Sequence, residues 1–356
     1  MSGLNRRRFV AAAGLGAIAT AGASAVPTTA EATARSRAFR PPLGPRIRLI
    51  SDNDYSGDPD GLYQLVHHLL SPSVEVRAVI GSHLAPGDPF DSSDQTATNA
   101  QQRALEVIKL LGQSKKVPAY PGSNRGLTNR TTPQESAGAR AIVKEALRTD
   151  STLPLFVTLG AGLTELASAY LLEPKIADKL TAVWIGGPEY TQLEATPPPG
   201  ASGIEYNLNI DLLAAQVVFN DSTIPIWQVP RDVYRQALVS MTELLVHVNR
   251  RGRIGRYLYD SISDINELAG DAGLNIGETY ILGDSPLVLL TALQSSFQPD
   301  PSSSRYATIK APRINDDGSY TAREDGRDIR VYTSVDVRLM FGDLFNKLEL
   351  HHNKHS

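Results

Sequence analysis

Five short apolar runs rich in β-branched residues, Ile47 to Ile50, Val74 to Ile80, Leu155 to Leu159, Leu180 to Ile185 and Ile224 to Val229, are spaced widely enough for a helix between neighbours. Predominantly apolar runs alternating with helical segments belong to parallel sheets whose crossovers are helices. The segments Asn99 to Leu111, Ala137 to Arg148, Thr164 to Leu172 and Leu212 to Phe219 read as those helices. The pattern predicts an α/β fold, a mostly parallel open sheet flanked by helices on both faces. Further along, Met241 to Ile276 is helical in pattern with charged faces, Pro299 to Pro312 reads as a loop, and Gly318 lies between two short strand-like stretches. Ile329 to Thr333 reads as a late strand, and the tail His351-His352-Asn353-Lys354-His355 as a frayed end.

Ligands of open α/β sheets gather at the carboxyl ends of the strands, and the first run is followed by Asp52-Asn53-Asp54-Tyr55-Ser56-Gly57-Asp58-Pro59-Asp60-Gly61-Leu62. Carboxylates this close repel one another unless a hard cation or a polyhydroxyl ligand takes up the charge. Asp52, Asp54, Ser56 and Gly57 fit positions one, three, five and six of an EF-hand loop, with Asp60 at nine. Position twelve, which should be a bidentate Glu, is Tyr63, and a strand precedes the loop where a helix should. The other readings are a strand, a carboxylate loop and a helix from Leu62 to Leu70, or a solvated acidic turn.

The first 25 residues read as an export signal. Asn5-Arg6-Arg7-Arg8-Phe9-Val10 precedes an Ala/Gly-rich apolar stretch and the A-x-A site Ala23-Ser24-Ala25, the layout of a twin-arginine signal, and the apolar run is too short for a membrane span. A periplasmic or secreted protein follows, with a flexible leader over residues 26–45 and one domain over residues 46–350. Removing the signal leaves 32 basic against 38 acidic residues. A mildly acidic mature chain is a poor nucleic-acid binder. With no cysteine, an exported chain must be held by its core alone.

The acidic loop resembles the opening motif of the inosine-uridine nucleoside hydrolase family, DTDxGxDxDDAxA in its longer form, with Asp52, Asp54, Asp58 and Asp60 on the spaced acidic positions. Gly61 stands where the family has its final Asp, normally a calcium ligand. The resemblance extends through the mature chain. Gly81-Ser82-His83 sits at a Gly-Asn turn near the sugar, Thr98-Asn99-Ala100 at the TNA helix start, and Val117 to Gly122 at the PVYxG strand. Gly160 to Ala167 resembles GPLTNxA, with Glu165 in place of Asn, and Trp184 to Gly187 resembles the MGG turn. Glu205-Tyr206-Asn207 with Asn209-Ile210-Asp211 resembles the EFN...DPxAA run, and Leu282 to Leu287 the HDPL helix start. Gly283 takes the place of the His that protonates a leaving purine in many members.

The resemblance implies a Rossmann-like core and hydrolysis of the N-glycosidic bond of ribonucleosides, with a Ca2+ ion holding the ribose diol and the attacking water. It implies Asp54 as the general base. Metal ligands would be Asp54, Asp58, Asp60, the Gly160 carbonyl and Asp284, with Asp58 taking part of the role left empty at Gly61. Ribose contacts would be Asp60, Asn99, Glu205, Asn207 and Asp284, the spacing of Glu205 and Asn207 placing both on one side of an extended segment. Asn99 as a simple helix cap, His83 as a pocket wall and Trp227 as core or as a base-stacking platform stay open. The expected partner is a small-molecule nucleoside or sugar, with no nucleic acid and no membrane for the mature form. A homo-oligomer is open, since members commonly form dimers or tetramers. A non-catalytic secreted binder of ribosides or sugars and a hydrolase of another glycoside are the alternatives.

Overall fold

In the computed structural model, which describes residues 44–295 and 302–356, the apolar runs form the centre of an eight-stranded sheet. Its strands are β1 (Ile47–Asn53), β2 (Val74–Gly81), β3 (Ala119–Pro121), β4 (Leu155–Leu159), β5 (Leu180–Ile185), β6 (Ile226–Val229), β7 (Arg305–Lys310) and β8 (Asp328–Ser334). Their order across the sheet is β3-β2-β1-β4-β5-β6-β8-β7. All neighbours are parallel except β7, which runs antiparallel along β8. Every residue of β1 is buried, the apolar Ile47, Leu49 and Ile50 together with Arg48, which pairs with Glu145, as in a strand covered on both faces. From β1 the chain builds outward to β3, then returns to place β4 on the other side of β1. That reversal opens a crevice at the carboxyl ends of β1 and β4, where ligands of doubly wound sheets bind.

The covering helices include α1 (Asp60–Leu69), α2 (Thr96–Leu110), α3 (Ala137–Ala146), α4 (Thr164–Leu172), α5 (Tyr206–Ile210), α6 (Leu212–Gln216), α7 (Gly252–Asp271), α8 (Pro286–Thr291) and α9 (Val337–His355). Two of the expected helices carry irregular turns. The one over Leu212 to Phe219 becomes a π turn at Val217–Asp221, and Met241 to Ile276 is divided by another at Leu244–Asn249. Two short strands flank Gly318, as expected. The described residues fall in one compact unit, Phe39–Ser356. The expected signal, and the expected leader up to residue 43, lie outside the described residues. Among the described residues no helix is long and apolar enough to cross a membrane.

Two expectations fail. Within the segment read as a loop from Pro299 to Pro312, Arg305–Lys310 is the antiparallel edge strand. Its residues are only partly buried, and the nearby prolines mask a β-rich stretch that Tyr306, Thr308 and Ile309 would otherwise announce. The Arg330 guanidinium on β8 lies 4.1 Å from the Trp227 ring and 4.0 Å from the Tyr306 ring. Trp227 therefore works in the sheet, stacking on a cation across three strands. The C-terminal tail is not frayed, because α9 runs to His355. Asp336 caps it by accepting from the Leu339 N–H at 2.8 Å, and Met340, Phe341, Leu344, Phe345 and Leu348 anchor one face in the core.

Gly81, at the end of β2, lets α2 lie directly on the sheet. A Cβ there would sit 2.3 Å from the Gln101 backbone nitrogen and 2.7 Å from the Ala97 carbonyl oxygen. Backbone on backbone cannot be relieved by a rotamer change, so Gly81→Ala is expected to destabilise the fold by about 3 kcal/mol. Urea denaturation checks this. A lowered midpoint with an unchanged slope is the expected result, and an unchanged midpoint would mean that α2 gives way freely.

Candidate active site

The acidic loop leaves the end of β1 and enters α1 within a few residues. Its first turn closes through the Gly57 N–H, which donates to the Asp54 carbonyl at 2.7 Å. Asp58 then accepts from the Asp60 N–H at 3.2 Å, leading into α1. From the other end of the chain, the turn before α8 brings Asp284 down onto this loop, its N–H donating to Asp60 Oδ2 at 3.2 Å. Asp54, Asp58, Asp60 and Asp284 are thus brought together, as expected. The loop is neither an EF-hand nor a solvated turn. A strand precedes it, and Tyr63, at position twelve, is fully buried with its hydroxyl donating to the Leu258 carbonyl.

Packing four carboxylates in the protein interior makes each hard to ionise. Burial pushes Asp58 up to about 6 against the bonds it accepts from Asp60 and Tyr280, and pushes Asp284 up to about 7. Burial and then the charge of Asp284 hold both Asp54 and Asp60 well above the ordinary carboxylate range. Among the described residues no side chain donates a hydrogen bond to the Asp54 carboxylate. Asp52 is set apart. Its side chain accepts from the Ser82 hydroxyl, its other oxygen has no partner, and burial with the nearby Glu165 charge raises its pKa.

The opposite wall comes from the segment after β5. Glu205 and Asn207 are not on an extended strand, as their alternate spacing implied, because Tyr206–Ile210 is the helical turn α5 and Glu205 is its N-cap. One Glu205 oxygen accepts from the Leu208 N–H at 3.0 Å and the Gly187 N–H at 2.6 Å. The other accepts from the Tyr234 hydroxyl at 2.8 Å. The glycine turn after β5 thus brings its backbone to Glu205. The Asn207 amide donates to the carbonyls of Ile185 at 2.8 Å and Gly160 at 3.1 Å, so the atom it leaves for a ligand is its acceptor oxygen. Asn99 has no hydrogen bond to this group. It is not the cap of its helix, which is Gln95, and its amide donates to Asp91 at 2.8 Å and Ser93 at 3.1 Å in the preceding loop.

His83 is a wall residue. Its ring contacts the Thr164 hydroxyl at 2.9 Å and the Leu84 carbonyl at 3.0 Å, and it borders a neighbouring cavity of about 580 Å³ that Asp54, Asp58, Asp60 and Asp284 do not line. Glu165 also acquires a role. Fully buried, it accepts from the Ser123 N–H at 2.8 Å, from the Ala139 N–H at 3.1 Å and from the Ser136 hydroxyl, fastening the start of α3 to the turn after β3. Sequence reasoning also missed the tyrosines. Tyr280 donates to Asp58 at 3.0 Å, Tyr234 to Glu205, and Tyr206 to Asp88, each pairing a phenol with a carboxylate distant in the chain.

The four carboxylates of the calcium set expected from the resemblance are gathered here, but they do not converge on one point. No three His, Asp or Glu side chains among the described residues are placed to share a metal ion. The Gly160 carbonyl accepts from Asn207 with one of its two lone pairs, and the place beside Gly61 is filled by the Asn53 side chain. The site is instead a concentration of acceptors that calls for hydroxyl donors or for positive charge.

A family model described as inosine-uridine preferring nucleoside hydrolase matches residues 49–341. No curated protein matches the chain. Among solved structures, a plant nucleoside hydrolase is similar at 18% identity and a TM-score of 0.65, covering 86% of this chain and 99% of that one. A purine-preferring ribonucleoside hydrolase from Gardnerella vaginalis is similar at 19% identity and a TM-score of 0.65, with the same coverage. A type III effector, XopQ, solved with adenosine diphosphate ribose, is similar at 15% identity and a TM-score of 0.58, covering 88% of this chain and 95% of that one.

Proposed function

The chain belongs to the inosine-uridine preferring nucleoside hydrolase family, and from that premise we propose that it is an exported hydrolase that releases the base from a ribonucleoside. The observation that supports this most is the excess of acceptors over donors in the cleft, whose amide and phenol donors are already used within the chain. A ribose brings hydroxyl donors, which Asp60, the second oxygen of Glu205 and the free oxygen of Asn207 would accept. Breaking the N-glycosidic bond develops positive charge on the sugar, and the carboxylate cluster stabilises that charge more than the neutral ground state. Asp54, with no side-chain donor on its carboxylate, takes a proton from the attacking water as the water oxygen bonds to the anomeric carbon. The electrons of the N-glycosidic bond leave with the base. Gly283 carries no acid, so the proton that neutralises the base comes from solvent, and Asp54 later returns its own.

Incubating the full chain with a panel of purine and pyrimidine ribonucleosides and measuring free base and ribose tests this. Stoichiometric release of both is expected, and a panel that is bound but never cleaved would overturn it. Such binding without turnover is the second reading, a riboside-binding protein on the same fold. The substitutions at Gly61 and Gly283 and the fold shared with an effector solved with adenosine diphosphate ribose favour it.

A further inference from the structure

Asn53 is fully buried at the end of β1, where the acidic loop begins. Its side chain fits between two glycines. A Cβ on Gly61 would meet the Asn53 amide nitrogen at 2.8 Å and its Cγ at 3.1 Å, and one on Gly160 would meet the same atoms at 2.4 Å and 2.6 Å. In both cases the three nearest atoms all belong to Asn53. The two glycines therefore leave room for this one side chain, and Gly61 is the position at which the resemblance places the family's last acidic calcium ligand.

The polarity of the amide is fixed by its surroundings. Oδ1 accepts from the Asp54 N–H at 2.9 Å, which can only donate. Nδ2 must then face the other way, and it donates to Asp284 Oδ2 at 2.7 Å and to Gln64 Oε1 at 3.3 Å. Turning the amide over would set N–H against N–H in a buried place and leave Asp284 without its donor. We propose that the Asn53 amide stands in for the cation in this cleft, filling the space of the missing carboxylate and holding Asp284 with a hydrogen bond. A cation that needs six or more oxygens around it meets amide hydrogens here. The carboxylates are held by the chain's own residues, without calcium. Asn53 is thus a positioning residue. This deepens the hydrolase reading and rests on the family assignment, not on turnover.

The test is calcium binding by the full chain, read by titration calorimetry and by thermal unfolding in calcium against a chelator. The unmodified protein is expected to show no micromolar binding and a melting temperature that calcium moves by less than about 1 °C. Asn53→Ala/Gly61→Asp, which clears the space and restores the acid, is expected to bind at least about 100-fold more tightly and to melt about 5 °C higher in calcium. Gly61→Asp alone, with Asn53 still in place, is expected to gain nothing. Micromolar calcium binding by the unmodified protein would overturn the proposal, as would equal gains in the single and double variants. If the double variant does not fold, the titration of the unmodified protein still decides. Base release in chelator is measured separately, so a chain that binds no calcium and cleaves no nucleoside refutes the hydrolase reading alone.

Discussion

Asp54→Asn is expected to lower the rate of base release by about 10³-fold, within the range that a positioned general base contributes. Asn keeps the shape of the side chain but cannot take the proton of the attacking water. The substitution should not cost the fold anything, because no side chain donates to this carboxylate among the described residues and one repelling charge leaves the cluster. Asn99→Ala provides the contrast. Its amide is used by Asp91 and Ser93 in the loop before α2, so its turnover should stay within about threefold of the unmodified chain. Steady-state kinetics on both variants, with circular dichroism to check folding, separate the cases. An Asp54→Asn variant within tenfold of the unmodified protein would remove Asp54 from the chemistry.

The parts of this fold that the sequence announces are those in which one stretch of chain carries its own signal. β1, β4 and β5 are built on short, predominantly apolar runs because both faces are covered, and such runs can be read without knowing what covers them. The edge strand Arg305–Lys310 is half exposed among prolines, so its periodicity is weak. The same division holds in the site. Four carboxylates crowded beyond one strand are legible as a site because their mutual repulsion is a local fact. What Asn53 does is not local. It depends on Gly160 after another strand and on Asp284 near the far end of the chain, and a lone Asn in an acidic loop has many uses. Likewise Glu205 reads as a ribose ligand on an extended segment, while in three dimensions it caps the helical turn that follows it and holds the Gly187 backbone.

Asp284→Asn is expected to make the protein more stable at pH 7.5 while abolishing turnover. In the folded state burial raises this carboxyl to about 7, against 3.8 for the free side chain. Between those values the unfolded chain has released its proton and the folded chain has not, so the folded state binds more protons and stability falls as pH rises. That contribution is complete below pH 3.8 and gone once the pH passes 7. An Asn in its place does not titrate, and its carbonyl can still accept from Asn53 while its amide donates toward Asp60. With sharing of protons among the carboxylates discounted, the gain at pH 7.5 should be about 2 kcal/mol, or roughly 5 °C in melting temperature. At pH 4 the two proteins should melt together. The unmodified protein alone would hide the effect, because buried His67, lowered to about 4 by desolvation, acts with the opposite sign over nearly the same range. A histidine with a depressed folded pKa lets the unfolded chain bind more protons, so its contribution rises with pH up to about 6.5. His67 is common to both proteins and cancels in their difference. The comparison is made in chelator. An Asp284→Asn variant that is less stable than the unmodified protein at pH 7.5 would mean that the charge on Asp284 is compensated in the native cleft.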